Sequence, residues 1–239
     1  MVAQSKALPP PGAHLAGAGH VHLHERAYVY LKELLLDGGL DPGEVISTDS
    51  VGRALGVSRA PVTDAVKRLT AEGFFVVMPQ VGCRVVLPET QEVADFYELF
   101  ALNEAYVTRL AAERRSPAEA RTFAGMIAEL VRRARSAKPA ADHGPLLRQL
   151  NRSRHEAIHE LARSPLNARI VAALWDRSDF YIRLAFGRFV PPRPAIEAQA
   201  VIAQAIVDGD GKAAERATQR CLRELGSEAA ARLERRVTR

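Results

Sequence analysis

Residues 38–88 read GGLDPGEVISTDSVGRALGVSRAPVTDAVKRLTAEGFFVVMPQVGCRVVLP, and the order of their patterns decides the fold. Val51, Ala54 and Leu55 stand at i, i+3 and i+4, so they share one face of a short helix. Ser47 or Thr48 is placed to cap its N-terminus. Gly56 is placed to end it, because glycine enters the left-handed region at little cost. Two residues on, Ser58 can cap a second helix, with Pro61 in its first turn. Val62, Ala65, Val66 and Leu69 then make one buried stripe, and Arg59, Thr63, Lys67 and part of Arg68 lie opposite. Glu72–Gly73 stops this helix. Phe74–Met78 and Cys83–Leu87 are β-prone and flank a turn at Pro79–Gly82, which predicts a hairpin with Gly82 and Arg84 near its tip. Upstream, Glu25–Leu36 supplies a third helix. The sum is a winged helix-turn-helix, a fold that lays its second helix in the DNA major groove and a hairpin beside it.

Beyond Leu87 the texture changes. Pro88-Glu89-Thr90 reads as a linker, and the rest is helical pattern rich in Ala, Leu, Arg and Glu. Helices are expected near 91–114, 117–137, 145–163, 166–187, 194–208 and 211–235, with breaks at Ser116-Pro117, Pro139–Gly144, Ser164-Pro165, Val190-Pro191-Pro192 and Asp208–Gly211. Six such helices make a bundle. The fold class is therefore mostly α, a three-helix winged domain with a β-hairpin over 21–88 followed by an all-helical bundle over 91–235. Residues 1–20, rich in Pro, Gly and Ala, are expected to form a disordered tail without a signal-peptide pattern. His20, His22 and His24 alternate there, either as a solvated tail or as a stray metal site.

The chain of 239 residues carries a formal charge of +5 and a pI near 9.5, which suits a polyanion partner. The excess is not in the winged domain: residues 21–88 hold seven Lys/Arg and eight Asp/Glu, a net of −1. Contact with DNA must then rest on local placement of Arg59, Lys67, Arg68 and Arg84, helped by helix N-termini. Two isolated cysteines, Cys83 and Cys221, fit a reducing cytosol better than a disulfide scaffold. No run is apolar enough to span a membrane, so the expected location is cytoplasmic.

Residues 38–88 resemble the DNA-binding domain of the GntR family of bacterial transcription regulators. The matching pieces are Gly39-Leu40-Asp41-Pro42-Gly43-Glu44, Leu55-Gly56-Val57-Ser58-Arg59, Pro61-Val62, Arg68-Leu69, Glu72-Gly73, and Pro79 with Gly82. The residues expected to meet DNA are Ser58, Arg59, Thr63, Lys67, Arg68, Gly82 and Arg84. The resemblance implies two further DNA-contacting arginines, at positions held here by Asp49 and Thr63. Arginine is the usual bidentate reader of guanine, so the operator is expected to differ from the common family sequence.

Residues 91–235 resemble the FCD ligand-binding domain of the FadR-type branch of that family, through Asp95-Phe96-Tyr97-Glu98-Leu99, Glu104, Leu110-Ala111-Ala112, His155, Asn167, Ala205-Ile206, Gly209-Asp210, Ala214 and Leu222. The resemblance implies a metal held by one Asp and three His, at positions that fall here on Asn151, His155, Gln199 and Cys221. Neutral amides are poor ligands for transition metals, so no cofactor is certain. A divalent metal bound weakly by His155 and Cys221 stays possible. The resemblance also implies an arginine that pairs with a carboxylate effector, where this chain has Phe100. Phe100, Asn151, His155, Gln199 and Cys221 are thus expected to line a cavity for a less acidic, more apolar effector, or only to satisfy one another.

His155–His159 also spells HExxH, the zincin signature, with Glu156 as base and Asp176 as a conceivable third ligand. A zinc-dependent hydrolase is one alternative reading, although no strands are expected in 91–235 to bind peptide. A protein-interaction adaptor is the other. Trp175, Tyr181 and Phe186 are expected in the core or a dimer interface, and Arg152, Arg154 and Arg163 on a solvated face. The expected protein is not an enzyme. It is a regulator, a repressor in the simplest case, acting as a homodimer on a double-stranded operator under control of a small molecule.

Overall fold

The computed structural model describes residues 8–12, 22–136, 143–187 and 193–237. The expected N-terminal tail lies outside these, His20 included, except for Leu8–Gly12, where the Pro9 carbonyl accepts from the Tyr30 hydroxyl at 2.5 Å. The chain divides into two compact units, Met1–Pro88 and Glu89–Arg239.

The first unit is built from α1 (Leu23–Asp37), β1 (Val45–Ile46), α2 (Thr48–Leu55), α3 (Arg59–Ala71), β2 (Phe75–Met78) and β3 (Gly82–Val85). Ser47 caps α2, accepting from the Ser50 N–H at 3.0 Å, and Gly56 closes it at φ 65°. Ser58 sits at the N-cap of α3 but makes no side-chain cap bond, so its hydroxyl is not committed to the helix in the way the sequence suggests. The apolar stripes meet as read: Ala27, Leu31 and Leu35 of α1 and Val62, Ala65 and Leu69 of α3 are buried. Full burial of each leucine stabilises by roughly 1.5–3 kcal/mol.

The hairpin forms, with one addition. β3 is the centre of a three-stranded antiparallel sheet in the order β1-β3-β2, with Ile46 opposite Cys83 and Met78 opposite Gly82. β1 is only two residues long and carries no periodic signal, which is why sequence reading passes over it. Its presence explains Gly82. At φ 139° a Cβ there would lie 2.1 Å from the Ile46 carbonyl oxygen. The tip of the wing is thus Pro79–Val81, and Arg84 lies in the central strand, exposed on the face opposite buried Cys83 and Val85.

The second unit contains α4 (Thr90–Arg114), α5 (Pro117–Ser136), α6 (His143–Ala162), α7 (Pro165–Phe186), α8 (Arg193–Asp208) and α9 (Gly211–Val237). The long α4 is the central element, burying Tyr97, Phe100, Ala101, Glu104, Ala105 and Thr108 along one stripe. Ser116 and Glu119 form a reciprocal capping box at the start of α5, at 2.7 and 3.2 Å,. Two arginines at the end of α4 satisfy the orphan carbonyls of other helices. Arg114 donates to the Ala162 carbonyl at 2.7 Å, and Arg115 to Ile206 and Val207 at 3.2 and 2.9 Å. Among the described residues no helix is long and apolar enough to cross a membrane.

Candidate nucleic-acid interface and bundle cavity

On α3, burial of one stripe forces the other side outward. Ser58, Arg59, Lys67 and Arg68 are exposed and Thr63 is half-buried. Each cation has an acidic neighbour. Arg59 Nε lies 3.8 Å from Asp49 Oδ1, with both side chains about two-thirds exposed. Lys67 Nζ lies 3.4 Å from Asp64. The Thr63 hydroxyl donates to the Arg59 carbonyl at 3.0 Å. Arg68 is tied down more firmly. Its guanidinium reaches Glu25 at 2.9 Å and Glu72 at 3.2 Å, and it stacks 3.5 Å from the centre of the Tyr28 ring. Arg68 therefore fastens α3 to α1. Arg59, by contrast, holds only a long, solvent-screened pair that a phosphate or a guanine can replace.

The second unit encloses a cavity lined by residues of α4, α6, α7, α8 and α9, among them Glu104, Arg154, His155, Trp175, Thr218 and Cys221. It is built on Glu104, which is 1% exposed. This carboxylate accepts from His155 Nδ1 at 2.9 Å, from His159 Nε2 at 3.1 Å and from Trp175 Nε1 at 3.4 Å. Burial alone would raise its pKa, but the imidazole donors more than offset that and hold it below the usual range,. An ionised carboxylate can only accept, so the protons sit on His155 Nδ1 and His159 Nε2. That leaves a lone pair on His155 Nε2, which meets the guanidinium of Arg154. Burial first, then the charge of Arg154, push the His155 pKa down to about 3, so the ring is neutral.

Arg154 is 6% exposed, which corrects its expected place on a solvated face; Arg152 is exposed and pairs with Asp176 at 2.5 Å. The same Arg154 Nη2 that meets His155 donates to Asn151 Oδ1 at 2.9 Å. Burial lowers the Arg154 pKa to about 10, and the guanidinium stays charged at neutral pH. Gln199 Nε2 donates to Cys221 Sγ at 3.8 Å. Two buried donors, Arg154 Nε and the Thr218 hydroxyl, have no hydrogen-bond partner among the described residues, and both residues line the cavity.

The structure brings His155, Gln199 and Cys221 to the cavity wall and Asn151 to the Arg154 head group behind it. Phe100 is not in the lining: fully buried, it packs edge-on against Trp175 at 4.7 Å and beside Phe96. Gly82 acts through backbone clearance, as shown above. The site members that sequence reading missed are Glu104, Arg154, Trp175 and Thr218. A signal existed for Glu104, because it interrupts the apolar stripe Tyr97, Phe100, Ala101, Ala105. The HExxH segment does not assemble a zincin site. His155 Nε2 faces the Arg154 guanidinium, His159 Nε2 donates to Glu104, Glu156 is exposed, and Asp176 pairs with Arg152.

Comparison with known proteins agrees with this architecture. Residues 95–224 match the FCD domain, and residues 23–85 match the bacterial regulatory proteins of the gntR family. The chain belongs to this family, in the branch that joins the gntR winged helix to an FCD domain. The Nta operon transcriptional regulator of Aminobacter aminovorans is 37% identical over 78 residues, 33% of this chain and 37% of that protein. A regulator from the TAR-I ttuE-ttuC' intergenic region of Agrobacterium vitis is 29% identical over 101 residues, 42% of this chain and 57% of that one. The chain thus matches between a third and about half of the length of these two relatives. Among solved structures, E. coli McbR/YncC superposes with a TM-score of 0.69 at 20% identity, covering 91% of this chain and 99% of that one. The named relatives are transcriptional regulators rather than enzymes.

Proposed function

We propose that the protein is a DNA-binding transcription repressor of the bacterial cytoplasm, acting as a homodimer on an inverted repeat and tuned by a small molecule held in the bundle cavity. The observation that carries this reading is α3, packed on one side and presenting Ser58, Arg59, Thr63 and Lys67 on the other. Arg59 is the reader. Lys67, Arg84 and the start of α3 supply phosphate contacts. Asp49 beside Arg59 lowers affinity for the sites that other family members prefer.

The cavity supports the regulatory half. Its volume is about 20 Å³, room for one water and no more. An effector must part the helices to enter, and that expansion is the differential state a regulator needs. The unpartnered Arg154 Nε–H and Thr218 hydroxyl are the donors left for an acceptor oxygen on the effector.

The test is selection of genomic DNA fragments by the purified protein at two salt concentrations. The expected result is a small set of sites sharing a palindrome, weakened by salt and bound about tenfold less well by Arg59→Ala. No shared palindrome, or an Arg59→Ala protein of unchanged affinity, overturns the reading.

A further inference from the structure

We propose that the guanidinium of Arg154 stands in the place of the metal that this fold is expected to carry, so that the bundle is organised around a permanent side-chain cation. The four positions assigned by resemblance to metal ligands are Asn151, His155, Gln199 and Cys221. Two of them, Asn151 and His155, turn their acceptor atoms onto one Arg154 nitrogen. Cys221 lines the same cavity as Arg154, and Gln199 is bonded to its sulfur. The ligand positions therefore converge on a site already filled.

The chemistry of the donors says the same. A divalent ion needs deprotonated sulfur, free imidazole nitrogen or carboxylate. Here the one imidazole of the set has its free lone pair facing a guanidinium. The Cys221 sulfur already accepts from Gln199 Nε2 at 3.8 Å. The two remaining positions are amides, whose oxygens can accept from an arginine, as Asn151 does, but add no charge to hold a metal. Among the described residues no group of three or more His, Cys, Asp and Glu is placed to hold a metal ion. The metal does not fit. Arg154 supplies its positive charge, and Glu104 across His155 supplies the balancing one.

This distinguishes two otherwise similar effects of substitution. With a metal at the centre, loss of His155 releases the ion. With Arg154 there, the ligand positions accept a metal only after the guanidinium is removed.

The experiment uses the full chain. Metal content is measured after purification, and the melting temperature is followed with chelator, zinc and cobalt. The wild type is expected to hold substoichiometric metal, and its melting temperature to be unmoved by either chelator or zinc. The triple variant Asn151→Asp, Arg154→Ala, Gln199→His is expected to take up one cobalt per chain. Its signs are a visible thiolate–cobalt band and a zinc affinity at least a hundredfold above wild type. Nitrogen NMR of the wild type gives a readout that needs no variant. His155 is expected as the Nδ1–H tautomer, with its signals unchanged by equimolar zinc. One metal per wild-type chain, released by His155→Ala, or a shift of the His155 nitrogen signals on adding zinc, overturns the proposal.

Discussion

A carboxylate taken out of water is driven towards its neutral form unless donors surround it. Glu104 meets that condition with two imidazoles and an indole, and the arrangement has a pH signature. His155, neutral in the fold with a pKa of about 3 against an ordinary 6.5, refuses a proton that the unfolded chain accepts. Stability is therefore full above about pH 6.5 and falls as the pH drops from there towards 3. Glu104, lowered from 4.5, adds a loss of the same sign below pH 4.5. One such proton costs at most about 1.4 kcal/mol per pH unit, or roughly 2–4 °C of melting temperature for each kcal/mol in a domain of this size. The melting temperature of the wild type should then fall more steeply between pH 6.5 and 5 than that of His155→Gln; parallel profiles for the two proteins exclude this account. Part of this site was legible in the sequence. His155, Gln199 and Cys221 could be placed because they hold positions with a chemical precedent in the family. Arg154 could not, because neighbouring residues on a helix point about 100° apart and nothing local says which of Arg152 and Arg154 faces inward.

The helices of the second unit begin and end within two residues of where their patterns place them, because the stop and start signals are local. Ser116 with Glu119 and the Ser164-Pro165 and Gly209 breaks are all written within a few residues of the helix ends. What is not local was missed. Arg114 and Arg115 finish helices whose last carbonyls lie 48 and 91 residues away, and β1 exists only because β3 pairs with it. A close approach between two helices is also invisible in sequence. Gly226 of α9 lies where a Cβ would be 2.4 Å from the Tyr97 Cβ on α4. Tyr97 has no room to retreat, since its hydroxyl lies 3.1 Å from Ser178 Oγ on α7. Gly226→Ala should therefore overpack the α4–α9 contact and destabilise by about 1–3 kcal/mol. Gly125 of α5 makes the matched comparison. It is exposed, and a Cβ there meets nothing within 4 Å, so Gly125→Ala should stabilise by up to about 1 kcal/mol through helix propensity. Urea unfolding of the pair checks both signs, and a loss at Gly125 equal to that at Gly226 would refute the packing explanation.

At the scale of the molecule the winged unit is short of charge for its proposed work. Residues 21–88 carry a net charge of −1, Arg68 is committed to Glu25, Glu72 and Tyr28, and Arg59 is shared with Asp49. One winged unit can neutralise few phosphates, so a single copy should bind DNA weakly and with a shallow salt dependence. A second copy doubles both, and the second unit carries a face suited to one. Leu99, Leu102 and Tyr106 stand at i, i+3 and i+7 on α4 and remain 54%, 52% and 39% exposed. Three large apolar side chains in a row on a helix surface mark an interaction face, and under the proposed homodimer on an inverted repeat the matching partner is a second copy. Leu102→Lys places a charge in the middle of this stripe, where burial without a partner is costly. By sedimentation the wild type is expected to be a dimer and the variant a monomer at the same concentration. On a palindromic operator its affinity should fall by more than tenfold, while on an isolated half-site it should match the wild type. A Leu102→Lys protein that sediments as a wild-type dimer shows that the stripe is not the interface. A monomer that retains full operator affinity shows that dimerisation is not what compensates for the sparse charge of the winged unit.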